Sequence, residues 1–183
     1  TKYDERRVDS IVVSIDSLPR IVIEGTDMIK AYCKDEVGFL ERELEKSDSN
    51  SALIIEKKTM IDSIKLDDYR VNVKDEKVIT SEHEEFQDIL DVVKNKWNKT
   101  DKTYRMRRRY SFIGDVLRVD LTVIKANHGV QKRQSIIKSR SFRESGTKEA
   151  LEYFEMEVEY IGHNLMKSVE ERKEDLDMFI EKI

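Results

Sequence analysis

Tyr153-Phe154-Glu155-Met156-Glu157-Val158-Glu159-Tyr160-Ile161-Gly162 alternates strictly, with three glutamates on one side and Phe154, Met156, Val158 and Tyr160 on the other. A period of two in residues that favour extended backbone predicts a half-buried β-strand. Successive carboxylates on one strand face stand about 7 Å apart. They repel one another by ~2 kcal/mol at an effective dielectric of about 20. Water, basic side chains or a metal ion must lie beside them.

Two earlier stretches carry the same period. Tyr104 to Phe112 puts Arg105, Arg107 and Arg109 on one face and Tyr104, Met106, Tyr110 and Phe112 on the other, with Arg108 interrupting the second set. Val116 to Ile124 sets Arg118, Asp120 and Thr122 against Leu117, Val119, Leu121 and Val123. Gly114-Asp115 between them predicts a hairpin. Three arginines in a row on one strand face repel each other and call for an anion or carboxylates opposite.

The formal charge of −4 conceals a segregation: residues 102–143 hold 12 Lys/Arg against 2 Asp/Glu, and residues 144–183 hold 12 Asp/Glu against 5 Lys/Arg. Such a basic segment followed by an acidic one suits an anion-handling surface facing carboxylates, or two segments that neutralise each other. With 183 residues, 38% hydrophobic content, six Gly and one Pro, the chain predicts one folded domain rather than a repeat array or a disordered chain. Its single Cys, Cys33, allows no internal disulfide and fits a reducing compartment. No apolar run approaches the ~18 residues that span a bilayer.

Asp9–Ile15 and Arg20–Ile23 read as strands around a Ser17-Leu18-Pro19 turn. A short helix follows from Gly25, with Thr26 as N-cap and Met28, Ile29, Tyr32 and Cys33 on its buried side. Phe39, Leu40 and Leu44 suggest more helix, and Leu53–Met60 and Tyr69–Val73 more strand. Ser81–Trp97 reads as a helix with a Ser81/Glu84 capping box. Lys132–Phe142 reads as a strand, Thr147–Tyr153 as a short helix and 163–183 as an amphipathic helix. His83, His128 and His163 lack any Cys/His ligand spacing, which argues against a zinc site.

Strands with one charged and one apolar face have two outcomes. In a sandwich the charged face is wet; in a closed barrel it lines the lumen while helices cover the outside. If the three charged faces share a lumen, arginines can grip phosphate oxygens and glutamates can hold a hard divalent ion.

The segments 104–112, 117–125 and 154–162, in that order, resemble the metal-dependent RNA 5′-triphosphatases of the triphosphate tunnel metalloenzyme group, in particular the triphosphatase domain of large-DNA-virus mRNA capping enzymes. Looser likeness extends through 20–25, 32–34 and 68–72. The resemblance implies an α+β fold, an antiparallel eight-stranded β-barrel with covering helices. Residues 1–162 would form this tunnel, and 163–183 would pack on it or lead to a following domain. It implies Mg²⁺- or Mn²⁺-dependent removal of the γ-phosphate from triphosphate-ended RNA. A guanylyltransferase domain is the implied partner, and a cytoplasmic viral factory or virion the implied location.

Residue by residue, the likeness makes Glu159 a direct metal ligand, has Glu157 support the metal and the attacking water, and has Glu155 hold tunnel arginines. Arg107 and Arg109 would contact phosphate, Arg105 and Arg118 would brace Glu155 and Asp120, and Arg70 and Lys58 would be further phosphate contacts. Arg107 stands where the pattern more often has Lys. The second acidic strand of the group, a Glu-x-Glu near the N-terminus, has no counterpart: Asp4-Glu5 is wrongly spaced and Glu41-Arg42-Glu43 falls in a predicted helix. The chain lacks an initial Met and stops in a charged stretch, so that first strand is expected upstream of Thr1. A tripolyphosphatase or nucleoside triphosphatase of the same architecture shares the lumen chemistry. A non-catalytic polyanion-binding barrel is a third reading.

Overall fold

The structure is a computed structural model and describes residues 4–46, 50–65, 70–129 and 135–161. Among the described residues seven strands make one sheet: β1 (Asp4–Ile15), β2 (Arg20–Glu24), β3 (Leu53–Lys65), β4 (Arg70–Val78), β5 (Lys102–Ile113), β6 (Leu117–Lys125) and β7 (Glu152–Tyr160). Their order is β4-β3-β2-β1-β5-β6-β7. The β1/β2, β2/β3 and β3/β4 pairs are antiparallel. The described residues include three α-helices, α1 (Thr26–Lys34), α2 (Glu36–Leu44) and α3 (Glu84–Asp91), and α3 runs on as a π-helical turn Val92–Lys96 and a 3₁₀ turn Trp97–Lys99. Among the described residues no helix is long and apolar enough to cross a membrane.

The chain divides into two compact units, the larger formed by residues 8–108 and 123–153 and the smaller, among described residues, by 4–7, 109–122 and 154–161. Register explains the core of the larger unit. Ile11 and Val13 pair with Ile23 and Ile21, which pair in turn with Leu53 and Ile55. Period two places these on one face, where Tyr32, Phe39, Leu40, Ile89 and Trp97 from the helical segments cover them. On the opposite face Val12 and Val22 are also buried, so the central strands are covered on both sides. That second face carries Ser10, Arg20 and Glu56, with Arg20 Nε donating to Glu56 Oε1 at 2.6 Å.

Several local expectations are revised. Gly25, at φ 97°, is the N-cap of α1 and Thr26 is its first helical residue. A positive φ suits glycine, and no side-chain cap is needed for the chain to turn in. Cys33 is exposed: it lies about 100° around the helix from buried Tyr32, which carries it off the apolar side. His83 is the N-cap of α3, so Ser81 and Glu84 do not bracket the first turn. Among described residues, 135–142 form no strand beyond one bridge, Lys102 to Ser139; residues 130–134 lie outside the description. Residues 147–153 hold turns and the start of β7 rather than a helix. There Ser145 Oγ donates to Phe142 O at 2.6 Å and accepts from Thr147 N at 3.1 Å, local bonds that compete with a helical ladder. The predicted helix at 163–183 also lies outside the described residues.

A polar cluster inside the larger unit was not legible in the sequence. Glu36 accepts from Tyr32 Oη at 3.2 Å, Trp97 Nε1 at 3.3 Å and Phe142 N at 2.7 Å. Lys102 is fully buried, donating to the carbonyls of Trp97 and Thr100 at 2.5 and 2.6 Å with its amine 4.4 Å from the Trp97 ring centre. Burial pushes this amine from the ordinary 10.5 down to about 8. Between those values the unfolded chain holds the proton and the folded chain has released it, so stability rises with pH. Urea melts at pH 7.5 and 9.5 are expected to show the wild type gaining about 2 kcal/mol relative to Lys102→Met. Burial pushes the Tyr32 and Tyr104 phenols upward, so their opposing loss of stability sets in only near and above pH 10.

Candidate anion-binding site on the arginine and glutamate strands

In the smaller unit the faces are inverted relative to an ordinary sandwich. The charged-side residues Asp120 and Ser111 are 2% and 7% exposed, whereas Phe154 and Met156 on the apolar side of β7 are 76% and 70% exposed. The alternation of β5, β6 and β7 is as predicted; Ser111 and Asp120 on the charged side of β5 and β6 are buried, while the glutamates of β7 are exposed. The β5–β6 hairpin sets the register through Gly114 N, which donates to Leu117 O at 2.9 Å.

Asp120 is the root of the cluster. Ser111 Oγ donates to its Oδ1 at 2.6 Å. Arg118 Nε lies 3.2 Å and Arg109 Nη1 3.5 Å from its Oδ2. Each guanidinium then reaches outward to one glutamate of β7: Arg109 Nη2 to Glu157 Oε2 at 3.8 Å, and Arg118 to Glu159 in a close ion pair. The two arms are thus anchored on one buried carboxylate and end on two half-exposed ones.

The energies at the two ends differ. Glu157 and Glu159 side chains are 51% and 50% exposed, so solvent screens their pairs to roughly 1 kcal/mol or less. A buried Asp120 left without cations would cost several kcal/mol, on the order of 3–5. The inner end is therefore fixed and the outer ends are exchangeable. Arg118 Nε faces Asp120 Oδ2 at 3.2 Å, and the buried Nε of Arg109 makes no hydrogen bond among the described residues. Two cations whose outer partners are replaceable carboxylates can donate to the oxygens of another anion.

The other predicted residues fall as follows. Glu155 is exposed and makes no ion pair among the described residues. In the larger unit Arg105 and Arg107 are half-buried on the charged face of β5, with Arg107 Nε donating to Ser10 Oγ at 3.3 Å. Lys58 pairs with Glu76 across the β3/β4 hairpin, and Arg70 is exposed at the start of β4, opposite Lys65. Ser111 and Ser10 went unnoticed in the sequence; both could have been found by asking which small polar residues continue the arginine face or oppose it. His83 is tied to Thr80 and His128 packs on Tyr153 at 5.7 Å, both structural positions; His163 lies outside the described residues.

Among the described residues no three His, Cys, Asp or Glu side chains gather as a metal-binding group. Glu157 and Glu159 offer two hard oxygen ligands on one strand face. That matches Mg²⁺-type binding, in which one or two carboxylates are completed by water and substrate phosphates, rather than a closed protein cage.

The chain is similar to the Mimivirus capping enzyme triphosphatase in a triclinic crystal, at 16% identity over 98% of this chain and 75% of that one, with a TM-score of 0.54. A monoclinic form of the same protein gives 16% identity, 98% and 76% coverage, and a TM-score of 0.52. At that identity the likeness establishes the fold. No family profile and no curated protein matches the sequence.

Proposed function

We propose that the chain is the triphosphatase domain of an mRNA capping enzyme and removes the γ-phosphate from triphosphate-ended RNA. The observation that carries this is the pair of guanidiniums rooted on buried Asp120 and ending on the Glu157-x-Glu159 strand. The shared fold with a capping enzyme triphosphatase supports it. A guanylyltransferase in the same polypeptide or complex, and a viral origin with a cytoplasmic factory or virion location, complete the proposal.

The arginines act by position. Asp120 and Ser111 hold both guanidiniums in a fixed orientation before the ligand arrives, so little ordering is left to do on binding. Phosphoryl oxygens replace Glu157 and Glu159 on the arms, and the charge that builds on them meets preset donors. The released carboxylates then face the anion; Glu157 is placed to orient a water for attack on phosphorus, and Glu159 with Glu157 would hold Mg²⁺ or Mn²⁺. A bound ion would polarise the phosphoryl group and offset its charge. In the larger unit Arg107, Arg105, Lys58 and Arg70 stand as further phosphate-contact candidates on the sequence likeness alone.

The test is γ-phosphate release from triphosphate-ended RNA with Mn²⁺, comparing wild type with Glu157→Ala and Glu159→Ala. Each variant is expected to lose at least about 100-fold in kcat. Unchanged activity in either would end the assignment. Relative kcat/KM for RNA ends, ATP and tripolyphosphate separates the RNA enzyme from a sister enzyme on small triphosphates. Salt-sensitive RNA binding that ignores the 5′ phosphorylation state would instead mark a polyanion-binding module.

A further inference from the structure

In the smaller unit Arg109 and Arg118 each hold one amine against a glutamate, Glu157 and Glu159, while Asp120 takes the inner side of both guanidiniums. Glu155, on the same face of β7, is exposed and makes no ion pair among the described residues. One strand face thus carries two carboxylates engaged by these arginines and one that is not.

We propose that the two outer pairs form a latch: the glutamates keep anions off the arginines, the arginines keep divalent cations off the glutamates, and the two ligands bind in mutual dependence. It rests on the proposed function, in which this site takes a phosphorylated substrate and a divalent ion, and adds how each ligand opens the site for the other. A guanidinium donates to a carboxylate or to a phosphoryl oxygen through the same N–H groups, so the two compete. A carboxylate neutralised by a guanidinium is a poor ligand for a hard cation that gives up its water reluctantly. An anion alone takes the arms but leaves two bare carboxylates beside it, and the like charges repel. A cation alone takes the glutamates but leaves two guanidiniums sharing the single charge of Asp120. With both ligands present every charge has an opposite one beside it. The latch opens cheaply, because both glutamates are half-exposed and their pairs are screened. The arms keep their orientation while it opens, because Asp120 is buried and Ser111 Oγ donates to it at 2.6 Å. Linkage makes the coupling equal in both directions.

The experiment measures binding without turnover, on the full 183-residue chain, with Mn²⁺ and inorganic sulfate at constant ionic strength. Free Mn²⁺ is read from its paramagnetic resonance signal and bound sulfate by equilibrium dialysis of the labelled ion. Saturating sulfate is expected to tighten Mn²⁺ binding at least about fivefold, and Mn²⁺ to tighten sulfate binding by the same factor. Without Mn²⁺, Glu159→Ala is expected to bind sulfate at least about threefold tighter than wild type, because one arm is already open. Glu155→Ala removes the same charge from the same face without opening an arm, and its sulfate affinity is expected to stay at the wild-type value. Equal Mn²⁺ affinity with and without sulfate would overturn the proposal. An equal gain in Glu155→Ala and Glu159→Ala would also overturn it, since that marks a general field rather than a latch. Absence of sulfate binding when Glu157→Ala and Glu159→Ala are combined, with both arms open, would do the same. Coupled binding without γ-phosphate release would keep the latch and end the proposed activity, and release with independent binding would do the converse.

Discussion

Arg118→Ala is expected to lower kcat/KM for γ-phosphate release by at least about 100-fold, with Arg109→Ala close behind. Either change removes one arm of a two-armed grip, and the remaining arm cannot place two phosphoryl oxygens at once. Stability should fall less than activity. Asp120 keeps its bond from Ser111 and its other arginine, and the outer pairs with Glu157 and Glu159 are half-exposed and screened. Arg→Lys at either position keeps the charge but loses the planar fork, so partial recovery is expected, in kcat more than in KM. The measurement is steady-state phosphate release with chemical denaturation run in parallel. Full activity in Arg109→Ala and Arg118→Ala together would remove the basis of the proposed function.

Asp120→Ala should do the reverse and damage stability as well as activity. It leaves two guanidiniums converging on the space of a lost carboxylate and strips Ser111 of its acceptor. A loss of about 3–5 kcal/mol is expected from urea melts. Asp120→Asn keeps the shape and an acceptor for Ser111 but not the charge, so about 1–3 kcal/mol is expected, with activity still strongly reduced. A structural role alone would allow Asp120→Asn to keep activity in proportion to its folded fraction. A drop in kcat beyond that fraction marks Asp120 as a positioning residue for the arginines.

Much of this was written in the period-two strands. The alternation of β5, β6 and β7 placed Arg109, Arg118, Asp120, Glu157 and Glu159 on matching faces before any coordinates, because a strand's side-chain direction is fixed by its pleat. Which face is covered could not be read there. Leu121 and Phe154 look like core residues by composition, and only the sheet order decides that Asp120 and Ser111 are inside instead. Local bonds defeated other readings: Ser145 and Thr147 side chains replace the helix predicted after them, and positive φ at Gly25 moves the cap away from Thr26. Glu36 and Lys102 were invisible because their partners, Trp97, Phe142 and two carbonyls, are distant in sequence or belong to the backbone. The arms' alternate pairing had the same cause: Arg118 reaches Glu159 rather than Glu155 through strand stagger, which residue spacing does not reveal.

The double burial of the central strands has a consequence for how the chain finds its fold. Ile11-Val12-Val13 and Ile21-Val22-Ile23 are apolar at every position, so sliding one strand by a single residue exchanges apolar side chains for apolar side chains and meets little resistance. The Arg20–Glu56 pair breaks that degeneracy. A one-residue slip of β3 would set Glu56 opposite Ile21 and turn its carboxylate into the layer beneath the helices, away from its arginine. The pair thus works as an alignment mark for a pattern that cannot align itself, and its removal is a route to misregistered, aggregation-prone chains even where the native stability changes little.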